Sequence, residues 1–178
     1  MYPFTSIQLN QRSVSIDSIL NQRIAPKNDF ERSTLTFISD WLSGKESFAF
    51  QTSGSTGSPK LFTFTRQQMQ QSAARTIKAL TVKSGDEALV CLNTHYIAGK
   101  MMLVRAMVAG WDLYTTSPEK NPLINFDENF DFAAMVPYQV FHSLADLHKV
   151  KKVIVGGGAV SSELEQRLQK VNSKVFAT

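Results

Sequence analysis

The sequence predicts an α/β fold, a largely parallel sheet flanked by helices. β-Prone runs alternate with helix-length segments along most of the chain, at the intervals expected of β-α-β units. Residues 87–92 and 131–136 are apolar enough to be strands buried on both faces. Residues 99–109 (GKMMLVRAMVA) are apolar almost all round apart from Lys100 and Arg105, so this helix must be covered on nearly every side.

Residues 1–29 alternate without a strong period and predict one strand and a short helix around Ser18, Ile19 and Leu20. From Phe30 to Leu42 apolar residues fall at helical spacing, and Gly44 ends the run. Two β-prone runs follow, Ser47-Phe48-Ala49-Phe50 and Leu61-Phe62-Thr63-Phe64, on either side of a polar loop. Thr65 and Gln68 then read as a capping box for a helix that runs to about Lys83 and stops at Gly85. Its inner face carries Met69, Ala73, Ile77 and Leu80. After the buried strand and helix come a strand near 112–116, a Pro/Asn-rich stretch at 117–129, the strand at 131–136 and a helix through 139–147. Val153-Ile154-Val155 is a strand leading into Gly156-Gly157-Gly158, and 161–171 is an amphipathic helix with Ser161 or Ser162 at its N-cap. Residues 174–178 begin one more strand.

Composition narrows the classes. With 43% hydrophobic and 19% charged residues, the 178-residue chain is neither disordered nor membrane-spanning, and no apolar run approaches the length of a bilayer crossing. The N-terminus lacks the charged start and apolar stretch of a secretory signal, and the single Cys91 can form no internal disulfide, which points to a reducing cytoplasm. The net charge of +4 has one dense cluster, His148-Lys149-Val150-Lys151-Lys152, with no interleaved aromatics. It reads as a solvated edge, and no nucleic-acid partner is expected. Oligomeric state is left open.

The loop between the two β-prone runs, QTSGSTGSPK, carries the strongest chemistry. Gly54 and Gly57 allow backbone N–H groups to converge on an anion; Ser53, Ser55 and Thr56 add hydroxyl donors, and Lys60 adds a cation set in place by Pro59. The spacing, Gly54-x-x-Gly57-x-x-Lys60, does not fit a Walker A loop.

TSGSTGSPK resembles the phosphate-binding segment of the adenylate-forming enzymes, which include the acyl-CoA synthetases and the adenylation domains of peptide synthetases. The resemblance implies that Thr52, Ser53, Gly54, Ser55, Thr56, Gly57 and Lys60 hold the β- and γ-phosphates of ATP. It makes Lys60 the catalytic cation and places Thr56 at the Mg²⁺. It further implies a carboxylic acid and coenzyme A as the other substrates. The glycine run resembles the family's Gly-Gly-Ala segment, which assigns Gly157, Gly158 and Ala159 to the adenine pocket. Read without the resemblance, the same run is a tight strand-to-helix turn.

A further cluster, Asn93-Thr94-His95-Tyr96-Ile97-Ala98-Gly99-Lys100, lies at the end of a buried strand, where ligands gather in α/β sheets. Aligning Ile97-Ala98-Gly99 with the family pattern sets Tyr96, not His95, at the family's histidine, and His95 reads as a strand-end residue. Arg105 has two readings, a structural salt bridge or a partner for a substrate carboxylate. The run from Tyr96 to Ala106 resembles the o-succinylbenzoate–CoA ligase subfamily, whose acid is a dicarboxylate, and this favours Tyr96, Lys100 and Arg105 as lining of the acyl pocket.

The resemblance covers residues 48–178. The aromatic-Gly-x-Thr-Glu segment and the lysine-bearing C-terminal domain of the family have no counterpart in it. The expectation is therefore an N-terminal portion of an AMP-binding domain, inactive by itself, with 117–129 as a candidate subdomain boundary.

Overall fold

The computed structural model describes residues 4–51 and 61–178. In chain order the elements are β1 (Ser6–Leu9), β2 (Arg12–Ser15), α1 (Ile16–Leu20), α2 (Asp29–Leu42), β3 (Ser47–Gln51), β4 (Leu61–Thr65), α3 (Arg66–Leu80) and β5 (Glu87–Val90). They continue with α4 (Ile97–Ala109), β6 (Asp112–Thr115), β7 (Phe130–Met135), α5 (Pro137–His142), β8 (Val150–Val155), α6 (Ser162–Leu168) and β9 (Lys174–Ala177). Seven strands form one sheet in the order β2-β1-β6-β5-β7-β8-β9. Only β1 and β2 pair antiparallel within it. β3 and β4 form a separate antiparallel hairpin in which Phe50 faces Phe62 and Gln51 faces Leu61.

Alternation along the central strands divides the core in two. Ala88 and Val90 of β5, with Phe132 and Ala134 of β7, join the cluster under α2, α3 and α4; Leu89, Cys91, Ala133 and Met135 join the one under α5 and α6. Successive side chains of a strand point to opposite faces, so both faces are apolar and both need helices. The parallel sheet between two helical layers is the α/β architecture expected from the sequence. Leu123 and Phe126, from the stretch between β6 and β7, are buried in the second cluster.

Helix ends follow local chemistry. Thr65 caps α3 by accepting from Gln68 N at 3.1 Å, while Gln68 Oε1 accepts from Thr65 N at 2.9 Å, closing the capping box. Asn28 caps α2 through Glu31 N at 2.9 Å. Arg66 joins the far end of α2 to this corner: its guanidinium lies 4.3 Å from the Trp41 ring and donates to the carbonyls of Trp41 and Lys45. A cation at a helix C-terminus satisfies orphan carbonyls and opposes the dipole.

Three expectations are corrected. Residues 6–15 form a hairpin, not one strand, because Asn10 and Gln11 take φ of 47° and 62°, the paired left-handed turn that suits twisted strands. α3 ends at Leu80, with Thr81 at φ 52°, rather than running on to Lys83 and Gly85. Lys152 Nζ donates to the carbonyls of Leu80 and Thr81 at 2.7 and 2.9 Å, a tertiary contact that fixes this end. The helix expected over 139–147 is the shorter α5, followed by a 3-10 turn at Leu147–Lys149. There the buried Ser143 Oγ donates to Asn121 Oδ1 at 3.0 Å and Asn121 Nδ2 donates to Asp146 at 2.8 Å.

The lysines of the basic cluster are partly committed to structure. Lys149 donates to the carbonyls of Leu123 and Phe126, and Lys151 pairs with Asp131 at 2.6 Å.

Candidate active-site cleft

Strand order reverses at β5. From β5 the chain passes through α4 to β6 on one side, then crosses back to β7 on the other. Connections that leave a parallel sheet in opposite directions open a crevice at its carboxyl edge. A cleft of about 990 Å³ lies there. Leu92, Asn93 and Tyr96 enter it after β5, Pro118, Glu119 and Lys120 after β6, Val136, Tyr138 and Gln139 after β7, and Gly157 after β8. Phe50, Phe62 and Phe64 of the β3–β4 hairpin form a further wall.

The turn from β5 into α4 is built by short-range polar bonds. Asn93 Oδ1 accepts from His95 N at 2.9 Å, and Asn93 O accepts from Tyr96 N at 3.2 Å. Thr94 is fully buried, its hydroxyl 2.8 Å from that of Thr34 on α2 and 3.3 Å from Phe30 O. Gly99 is required by close approach: a Cβ there would lie 2.5 Å from Asn93 O. Tyr96 stands at the N-cap of α4 without a side-chain cap bond, and its exposed ring meets His95 edge-on at 5.5 Å.

The structure separates the residues expected to share an acyl pocket. Tyr96 lines the cleft, whereas Lys100 lines a second cavity of about 580 Å³ beneath α2, with Asp40, Lys45 and His95. Lys100 Nζ sits 5.7 Å from the Phe37 ring and 5.3 Å from the Phe50 ring. Burial lowers the Lys100 pKa, and nearby Lys45 lowers it further against the pull of Asp40. Arg105 lines neither cavity. It lies seven residues after the cleft-lining Ala98, on the same face of α4, since seven residues close nearly two turns. Helical side chains tilt towards the N-terminus, which for α4 is the cleft end. Arg105 Nε is buried without a hydrogen-bond partner, and among the described residues Arg105 makes no ion pair. Burial alone holds its pKa below the usual arginine value.

In the glycine run, Gly157 has φ 78° and lines the cleft; Gly158 packs near Pro137 and Ala159 is exposed. The phosphate-loop candidates Thr52, Ser53, Gly54, Ser55, Thr56, Gly57 and Lys60 lie outside the described residues. Phe50 and Phe62, which pair across the β3–β4 hairpin, both line the cleft. Among the described residues no group of three or more His, Cys, Asp or Glu side chains could hold a metal ion.

Sequence reasoning missed Tyr138 and Gln139. Tyr138 is 61% exposed at the cleft, an aromatic directly after a buried strand and a proline, and that position was its available signal. Gln139 is 4% exposed and uses both N–H donors, to Cys91 O at 3.0 Å and Glu119 O at 3.1 Å, while its Oε1 accepts from Val136 N at 3.2 Å. Nothing local in the sequence signals this.

No family model matches the chain. By sequence it is 29% identical over 127 residues to 2-succinylbenzoate–CoA ligase of Escherichia coli (strain K12), a match covering 70% of this chain and 28% of that protein. By structure it matches the acyl-CoA synthetase (AMP-forming)/AMP-acid ligase II-like protein of Dyadobacter fermentans with a TM-score of 0.80 and 40% identity, covering 89% of this chain and 47% of that one. It also matches the o-succinylbenzoate coenzyme A synthetase of Bacillus subtilis, solved with ATP and magnesium ion, with a TM-score of 0.58. That match covers 73% of this chain and 29% of the other at 19% identity, a likeness of fold alone. With its cleft at the carboxyl edge of a parallel sheet, the chain is similar in sequence and in fold to the AMP-forming acyl-CoA synthetases of the adenylate-forming family. The relative similar in sequence is named for 2-succinylbenzoate, and the chain spans less than a third of that relative's length.

Proposed function

We propose that the protein carrying this chain is an ATP-dependent acid–CoA ligase whose acid is o-succinylbenzoate, the acid of the menaquinone pathway. The observation that carries the choice of acid is Arg105, a guanidinium with a buried, unpartnered Nε in an apolar helix, on the face that leads to the cleft. A buried donor without an acceptor costs free energy that a carboxylate would recover. A dicarboxylic acid offers one carboxylate to Arg105 and the other to the reaction.

In the first step the reacting carboxylate attacks the α-phosphorus of ATP, acyl-AMP forms and pyrophosphate leaves. In the second, the coenzyme A thiol attacks the acyl carbon and AMP leaves with the electron pair of the broken acyl–oxygen bond. This chain supplies positioning and charge neutralisation. Thr52 to Gly57 and Lys60 hold the β- and γ-phosphates, and the backbone of Gly157, Gly158 and Ala159 lies against adenine. Tyr96 and Arg105 receive the acid; Lys100 stands behind the Phe50 wall, clear of it. Mg²⁺ arriving with ATP, with Thr56 as the residue assigned to it, would neutralise phosphate charge. A cytoplasmic setting belongs to the same proposal: Cys91 is a free, fully buried thiol raised to about 12, and no described helix is long and apolar enough to cross a membrane.

Exchange of labelled pyrophosphate into ATP by the natural gene product tests the proposal. Exchange that depends on o-succinylbenzoate is expected. Exchange with other acids only would overturn the acid, and exchange with none would overturn the ligase. The 178 residues alone, which span a minor part of the curated relative, are expected to stay at blank.

A further inference from the structure

We propose that Gln139 is a positioning residue that sets the width of the cleft and hence the fit of the acid, an inference that rests on the ligase reading. Its carboxamide joins three chain segments just past the last backbone pairs between their strands, Val90 with Ala134 and Val90 with Thr115. The Cys91 carbonyl ends β5 just before Asn93 and Tyr96. The Glu119 carbonyl belongs to an exposed segment after β6 that Asn10 holds at Ser117 and that Ser143 and Asp146 hold at Asn121, and Gln139 ties it to the cleft between those two anchors. The Val136 N–H follows the last residue of β7 and lies two residues before Tyr138. One side chain thus ties together, beyond the end of the strand ladders, the walls that carry Tyr96, Lys120 and Tyr138.

The carboxamide is the one neutral group able to do this. Its two N–H donors meet two carbonyls and its oxygen meets an N–H, so all three contacts are matched in sign. A glutamate would turn a carboxylate towards two carbonyl oxygens, and a methionine of similar length would keep the volume while losing every bond. With the side chain 4% exposed, water cannot readily replace what is lost. Misplacing a substrate-bearing wall by about 1 Å is enough to lower turnover about a hundredfold.

The test uses the natural gene product, unaltered and as Gln139→Met and Gln139→Glu. Steady-state adenylation is measured against the acid and against ATP separately, and hydrogen exchange is followed on the same three proteins. In both variants the acid KM should rise about tenfold or more while the ATP KM stays within about twofold. Amides of 117–121 should exchange faster while those of β8 are unchanged. Equal rises in both KM values, or a loss of active protein with KM unaltered, would assign Gln139 to folding only and overturn the proposal. If the unaltered protein adenylates no acid, the ligase reading fails on its own. Exchange then decides the tether: unchanged protection at 117–121 in Gln139→Met overturns it, and localised loss supports it.

Discussion

The hydroxyls of Thr34 and Thr94 lie 2.8 Å apart, both fully buried, and join α2 to the loop that opens the cleft across 60 positions of sequence. Because Thr94 Oγ1 also lies 3.3 Å from Phe30 O, the consistent assignment has Thr94 donating to that carbonyl and Thr34 donating to Thr94. Thr94→Val should cost about 1–2 kcal/mol of stability. The bond between the two hydroxyls is lost in either single variant but only once in the pair, so the double variant Thr34→Val/Thr94→Val should cost less than the sum of the singles. Chemical denaturation of the four proteins reads both quantities.

Glu31 supplies the clearest pH dependence. It is 1% exposed, with Arg12 at 2.5 Å, Asn10 at 2.8 Å and the Lys27 N–H at 2.8 Å. Burial pushes its pKa up, but the hydrogen bonds from Lys27 and Asn10 and the charge of Arg12 outweigh it and hold the carboxyl below its ordinary 4.5. The unfolded chain therefore binds the proton more tightly. The stabilisation is present above pH 4.5 and is lost as pH falls through the folded-state value. Denaturation midpoints from about pH 7 to about pH 3 should fall less steeply in Glu31→Gln than in the unaltered protein.

Gly99 and Gly85 separate two reasons for glycine. At Gly99 a Cβ would meet the backbone of Asn93 at 2.5 Å, so Gly99→Ala should cost about 2–3 kcal/mol. It should also disturb the turn that carries Tyr96. Gly85 has φ +81° with nothing within 4 Å, and Gly85→Ala should cost only about 1 kcal/mol of backbone strain. Thermal unfolding of the two variants checks the ranking.

The fold was largely legible because its signals are local. The capping box at Thr65 and Gln68, the apolar α4 and the buried strands β5 and β7 all stand in the structure as expected. Features set by distant contacts were not legible. Lys152 reaches the end of α3 from 71 positions away, and Gln11 accepts a left-handed turn that its identity does not announce. The candidate site divides in the same way. Tyr96 and Gly157 were readable from their place after strands, while Gln139 acts through contacts up to 48 positions away. Lys100 and Arg105 could have been separated in advance, since five residues along a helix turn through about 140°.

The most direct measurement is the kinetics of Arg105→Met in the natural gene product, with adenylation followed against o-succinylbenzoate and ATP separately and stability measured alongside. A guanidinium held for a substrate, with no ion pair among the described residues, predicts an acid KM raised about tenfold or more and an ATP KM within about twofold. Stability should be unchanged or higher, because the buried, unpartnered Nε–H of a half-buried side chain is removed. Equal losses for both substrates, together with a clear fall in stability, would contradict it and make Arg105 a structural residue.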